Sequence, residues 1–156
     1  MSRGNIQVKN IITANESRGN GGRIVIDSKG DISSLQLNSS FYSGSSYYKN
    51  SVVEGNGGAI KLISEADIYT ESIDSSADSF YAGSDSNGGN ITLNANGNIA
   101  TNGLLKSSSY QGDGGAINLN ADGNITTNGL LESNSYAGLY GGWNANGGTI
   151  TLDAGG

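Results

Sequence analysis

Carboxylates are the side chains in this sequence best able to perform acid–base chemistry. The 156 residues include 14 Asp and Glu but no His and no Cys. The usual general bases, thiol nucleophiles and soft metal ligands are therefore missing. The densest acidic stretch supplies Glu65, Asp67, Glu71, Asp74, Asp78 and Asp85. An enzyme built from such groups would cleave polysaccharides, because glycoside hydrolysis needs two carboxyl groups about 5 to 10 Å apart.

One carboxylate pair occupies a recurring position. Asp31 and Asp67 each precede an Ile, and Asn stands at the equivalent place at Asn5, Asn98 and Asn124. Asn favours turns and can adopt the left-handed backbone conformation, and stacked Asn side chains can form a hydrogen-bonded ladder. We therefore expect these five residues to form a structural ladder, and we predict no catalytic residue, no cofactor and no dedicated metal site. Weak ion binding by the acidic stretch stays open.

The elements that must position these residues are repeats. The string Asn-Gly-Gly-x-Ile-x-Leu, or a close variant, occurs at 20–26, 56–62, 87–93, 113–119 and 146–152. In the first four copies a second Ile follows the first by eight residues, and in each coil a third apolar residue lies five positions beyond the Ile that follows the Asn or Asp. This third series is Ile11, Leu37, Ile73, Leu104 and Leu130. A fixed period of tens of residues indicates one unit stacked on copies of itself.

Division at the Asn or Asp position gives five coils, 5–30, 31–66, 67–97, 98–123 and 124–156, within a single repeat domain that covers residues 1–156. Each coil carries three short apolar segments with period-two alternation, separated by Gly, Asn and Asp, which is typical of short strands. The sequence thus predicts an all-β parallel β-helix with about three strands per coil. Ile and Leu, including Ile99 and Ile117, are expected to point inward on every rung.

Aromatic residues form the other candidate set. A Tyr stands two residues before a Gly in four coils, at Tyr42, Tyr81, Tyr110 and Tyr136, and Ser17 takes that place in the first coil. We expect these Tyr residues to stack as a structural ladder at the edge of the core. Insertions at one corner also place aromatic residues where the repeat does not need them, so they are candidate ligand-contact loops: Tyr47, Tyr48, Tyr140 and Trp143.

The coils resemble the repeat region of filamentous-haemagglutinin-like proteins, the exported partners of bacterial two-partner secretion, and the cyanobacterial type in particular. The strings that carry the resemblance are Gly-Gly-x-Ile-x-Leu and Gly-Asn-Ile-x-Thr-Asn-Gly-Leu-Leu, best kept at 114–119 with 123–131 and at 88–93 with 97–105. The resemblance implies a right-handed β-helix displayed outside the cell in an adhesive or fibrous role. The secretion domain and signal peptide of that family are not found here, which suggests a segment of a longer protein or a fibre subunit.

Composition restricts the partners. The net charge is −6 and the basic residues are scattered, which disfavours nucleic acid and anionic membrane surfaces. No apolar run is long enough to span a bilayer. The expected function is structural or adhesive, without catalysis, on the cell surface or in an extracellular fibre. The alternative is a β-helix that binds or cleaves carbohydrate, with surface glycans as ligands. Open terminal rungs also predict end-to-end self-association or covalent continuation into further coils.

Overall fold

The chain forms a parallel β-helix in a computed structural model that describes residues 4–16, 19–43, 55–79, 86–136 and 145–156. Three parallel sheets run along the stack. The first sheet is built from the Ile-x-Leu segments of the repeat, and its strands are β2 (Ile24–Ser28), β5 (Ile60–Ser64), β8 (Ile91–Ala95), β12 (Ile117–Ala121) and β16 (Ile150–Ala154). This architecture confirms the predicted fold class.

The second sheet follows the Asn or Asp position. Its strands are β1 (Ile6–Ile12), β3 (Ile32–Asn38), β6 (Ile68–Asp74), β9 (Ile99–Thr101), β10 (Leu105–Lys106), β13 (Ile125–Thr127) and β14 (Leu131–Glu132). The third sheet is shorter, with strands β4 (Phe41–Ser43), β7 (Ala77–Ser79), β11 (Ser109–Tyr110) and β15 (Ser135–Tyr136). Equivalent residues pair from coil to coil, so that Ile32 lies between Ile6 and Ile68.

The main core is a set of aliphatic columns enclosed by the first two sheets. Ile91, Leu93, Ile99 and Ile117 are fully buried, as the alternation predicts. Outward residues of the first sheet alternate with these; Val25 is exposed, and the outward residues of β5 and β8 are half-buried. Burial of a side chain of this size stabilises the fold by about 1.5–3 kcal/mol, so the aliphatic columns are the main source of stability.

The predicted third apolar series is wrong in the last two coils. Leu105, not Leu104, pairs with Ile73 and is fully buried. Leu131 pairs with Leu105, whereas Leu130 is 60% exposed. The second-sheet strand that runs unbroken in coils 1–3 is split into two short strands in these two coils, and an extra residue in the interruption moves the inward position one place along the chain.

The Gly-Gly pairs are explained by a close approach inside each coil. The N–H of Gly89 donates to the carbonyl of Ser75 at 2.7 Å, and the Ser75 hydroxyl donates to the carbonyl of Gly58 in the coil before. A Cβ on Gly57 would lie 1.9 Å from the Ser75 carbonyl oxygen. The corner that carries the Gly-Gly pair thus contacts the corner that carries Ser75, and this contact is named here the pinch. It separates the aliphatic core from a second compartment that holds Phe41 and Ala77.

The Asn and Asp ladder positions do not use the left-handed conformation that Asn can adopt. Among the described residues, positive φ angles occur at Gly19 (95°) and at Gln111 (91°), and not at the Asn or Asp ladder positions. The short polar side chains at those positions instead bond directly to the next coil, so the corner turns without left-handed backbone.

Candidate functional site

The Asn and Asp column forms hydrogen bonds between coils. The side-chain oxygen of each residue accepts the backbone N–H of its counterpart in the next coil, and these donor–acceptor distances are 3.1 Å for Asp31 to Asn5, 3.3 Å for Asp67 to Asp31, 2.6 Å for Asn98 to Asp67 and 2.9 Å for Asn124 to Asn98. The Asp31 and Asp67 carboxylates are thus engaged with backbone donors. Such use favours a structural role for the pair over catalysis.

A second column of the same kind precedes the Gly-Gly pairs. Asn20, Asn56, Asn87 and Asp113 each accept the backbone N–H of the equivalent residue in the following coil, at 2.7 to 2.8 Å. In the sequence these residues are recognisable only as part of the repeated string. Their invariable Asn or Asp identity was the available signal, because a short side chain with an oxygen acceptor is needed to bridge the coils.

The Tyr series lies on the outer face of the third sheet, with one substitution that the sequence analysis missed. Tyr42 pairs with Asp78, Asp78 with Tyr110, and Tyr110 with Tyr136. The column therefore reads Tyr, Asp, Tyr, Tyr from coil 2 to coil 5. Tyr81, predicted to occupy the third coil's position, lies outside the described residues, and Asp78 holds that register position instead.

These side chains line an open groove. Tyr42, Asp78, Lys106, Tyr110 and Tyr136 surround a volume of about 310 Å³, hereafter the tyrosine groove. Tyr42 and Tyr136 are each more than two-fifths exposed, so the aromatic surface is accessible rather than covered. The column faces solvent and contains a charged residue, Asp78, on one rung.

Charges cluster at the floor of the tyrosine groove. The Lys106 ammonium lies 3.9 Å from a carboxylate oxygen of Asp78. Burial raises the pKa of Asp78 above its ordinary value, Lys106 opposes this shift, and the carboxylates of Asp74 and Glu132 add to it. Three carboxylates and one ammonium therefore interact here, which leaves an excess of negative charge.

Hydrogen bonds fix the wall of the groove at its C-terminal end. Glu132 accepts the Tyr136 hydroxyl at 2.7 Å and the Ser108 hydroxyl at 2.9 Å through the same oxygen. Asn134 donates its side-chain N–H to the Tyr136 hydroxyl at 3.2 Å. Tyr136 is thereby held at its hydroxyl, and its ring remains on the surface.

The other candidate residues do not join this site. Tyr47, Tyr48, Tyr140 and Trp143 lie outside the described residues. Glu65 and Glu71 are exposed on other parts of the coil, and Asp85 is outside the described ranges. Within the described parts of the chain, no group of three carboxylates is arranged to hold a metal ion.

Comparison with known proteins gives no relative. No family model, no curated protein and no solved structure matches the chain. None of the described residues belongs to a helix that is long and apolar enough to cross a membrane. The groove and the stack therefore have to be interpreted from their own chemistry.

Proposed function

We propose that this chain is a structural and adhesive β-helical segment of an exported bacterial surface protein or extracellular fibre, without catalysis. The main support is the use made of its recurring polar residues. The Asn and Asp oxygens accept backbone N–H groups of the next coil, and the buried Ser hydroxyls donate to Gly carbonyls across the pinch. Polar groups spent on the stack in this way are not available for a reaction.

Surface display is supported by the resemblance to filamentous-haemagglutinin-like repeats at 88–105 and 114–131. A rigid column with equivalent residues on successive rungs suits such a role, because each outward position is fixed by the register beneath it. Adhesion then depends on which side chains occupy the outward columns. The tyrosine groove is the part of the described surface where aromatic and charged groups meet.

A second candidate function follows from the same groove. A β-helix that cleaves carbohydrate would need a protonated carboxyl group beside an ionised one, and the raised pKa of Asp78 near Asp74 and Glu132 favours such a pair. The first proposal is preferred because the Lys106 ammonium lies 3.9 Å from Asp78, and its positive charge opposes protonation of that carboxyl group.

One experiment distinguishes the adhesive function from the cleavage of carbohydrate. The purified chain is tested on a glycan array and in parallel for release of reducing ends from acidic and neutral polysaccharides. We expect saturable glycan binding, or attachment of beads coated with the chain to cells, without product release. Bond cleavage that is lost in Asp78→Asn would replace the first proposal with the second. Fractionation of the source cells, with detection of the chain by antibody on intact cells, tests surface display.

A further inference from the structure

The tyrosine column is interrupted on one rung, where Asp78 stands in place of a Tyr and Lys106 lies beside it. Successive rungs of parallel strands lie about 4.8 Å apart, so Tyr110 and Tyr136 are within the stacking distance of aromatic rings. Tyr42 and Tyr110 are separated by two rungs, about 10 Å, with Asp78 on the rung between them. A ring bound over Asp78 would take the place of the missing aromatic residue and contact a Tyr on either side.

The chemistry of this gap selects a cation. Asp78 lies at its floor, and the nearby carboxylates of Asp74 and Glu132 outnumber the single ammonium of Lys106. Aromatic faces also attract cations within about 6 Å of their centroids, and the rung spacing of about 4.8 Å lies inside that limit on both sides. An anionic ligand would be repelled, and a neutral ligand would leave the excess negative charge uncompensated.

The surroundings favour a glycan over a peptide. Extended peptides bind sheets by adding a strand at an unpaired edge. The tyrosine groove lies on the face of the third sheet, where β7 and β11 already pair on both sides along the stack. The groove instead offers aromatic faces and hydroxyl, carboxylate and ammonium groups at rung intervals, which suit the apolar faces and hydroxyls of successive sugar rings.

We propose that the tyrosine groove binds a glycan that carries a free amino group, with the amino sugar in the gap over Asp78 between Tyr42 and Tyr110. This inference rests on the proposed adhesive function and names the ligand class of its site. Tyr136 lies beyond Tyr110 in the same column, and its hydroxyl is held by Glu132. Asp78 supplies the charge partner of the amine.

The test compares two oligosaccharides of the same length, one of glucosamine and one of N-acetylglucosamine, by titration calorimetry. The pH is the highest at which the amine is still protonated, because the raised pKa of Asp78 means that acid would remove its charge. We expect the glucosamine chain to bind about five- to thirty-fold more tightly, from one partly exposed ion pair together with cation–aromatic contact. Asp78→Asn should remove this preference. Asp122→Asn, at an exposed carboxylate outside the groove, should keep the preference. Tyr110→Leu should weaken the binding of both oligosaccharides.

Unfolding curves of each variant show whether it folds. Asp78→Asn and Asp122→Asn each remove one carboxylate charge and keep the size of the side chain, so they are matched controls. Equal affinity for the two oligosaccharides, or a preference unchanged by Asp78→Asn, would overturn the inference, as would equal binding of an oligolysine peptide. The chain could still attach to cells or to other glycans in that case, so the adhesive proposal fails only when those assays are negative as well.

Discussion

Replacement of Gly57 by alanine should destabilise the fold strongly because its Cβ would enter the pinch. The added carbon would lie 1.9 Å from the Ser75 carbonyl oxygen and 2.7 Å from the Gly89 nitrogen. A normal separation of at least 3.0 Å from that oxygen requires the two corners to move apart by more than 1 Å. Both contacting atoms belong to backbone, so no side-chain rotation can relieve the overlap.

The magnitude follows from the contacts that this movement breaks. The hydrogen bond from Gly89 N–H to the Ser75 carbonyl is 2.7 Å long, and the Ser75 hydroxyl also donates to the Gly58 carbonyl. Overpacking costs about 1–3 kcal/mol and each lost hydrogen bond about 1 kcal/mol, so we expect a loss of about 3–5 kcal/mol in the free energy of unfolding. A typical domain has about 5–15 kcal/mol in total.

Gly147 provides a position-matched control. It occupies the same place in the repeat as Gly57, but the nearest atom to its Cβ would be the Ser133 carbonyl oxygen at 3.3 Å. Alanine restricts the unfolded chain, which stabilises proteins by about 0.4–1 kcal/mol where the backbone is compatible. Gly147→Ala should therefore be close to neutral or slightly stabilising.

Urea unfolding followed by circular dichroism measures both variants, and hydrogen exchange at Gly89 reports the pinch directly. Exchange is needed because repeat arrays can unfold in parts rather than in one step. We expect Gly57→Ala to lower the midpoint and expose the Gly89 amide to exchange. If Gly57→Ala and Gly147→Ala unfold at the same urea concentration, the close approach of the two corners is not what requires glycine.

Three further predictions test the core, the groove and the ends. Ile117→Asp should unfold the middle of the stack, since an unpaired buried charge costs several kcal/mol. Ile150→Asp, in the same column, should have a mild effect because Ile150 is 44% exposed. Equal melting temperatures of the two variants would refute the assigned inward face. The pKa of Asp78 is raised, so the folded state keeps the Asp78 carboxyl proton to a higher pH than the unfolded state, and stability falls as the pH rises from the unfolded-state pKa to the folded-state pKa. Asp78→Asn should therefore be more stable than the parent at neutral pH and lose this advantage in acid. A difference in urea midpoint that stays constant across pH would contradict this. Half of the Leu152 side chain is exposed on the terminal rung. Light scattering of the 156-residue chain should therefore show concentration-dependent association, and the double variant Ile150→Lys, Leu152→Lys should abolish it. A monomer at all concentrations would exclude end-to-end stacking.

The aliphatic core could be predicted because its spacing is set by the strands themselves. The step of eight residues from Ile91 to Ile99 crosses one corner of fixed length, and both side chains are fully buried. The inward position after Ile99 does not follow from the spacing in the same way. An extra residue in the interrupted strand moves that position from Leu104 to Leu105, and a shift by one place exchanges the inward and outward faces of everything that follows.

The same shift of one residue explains why the sequence does not predict the tyrosine groove. Alternation from Leu104 would send Lys106 inward, whereas alternation from Leu105 sends it outward, beside Asp78. The spacing between each Tyr and the Gly that follows it predicts Tyr81 for the third coil. The backbone register, which pairs Phe41 with Ala77, instead gives that place to Asp78.

A stack of this kind separates stability from recognition within each coil. The inward Ile and Leu residues, the Asn and Asp oxygens and the pinch fix the path of the backbone, and none of them depends on the outward residue of the third sheet. Asp on one rung therefore interrupts the aromatic column without a change of register on either side, where Tyr42 and Tyr110 remain in line. A single substitution on a repetitive scaffold is thus sufficient to turn a uniform aromatic surface into a site with a position for one charged ring.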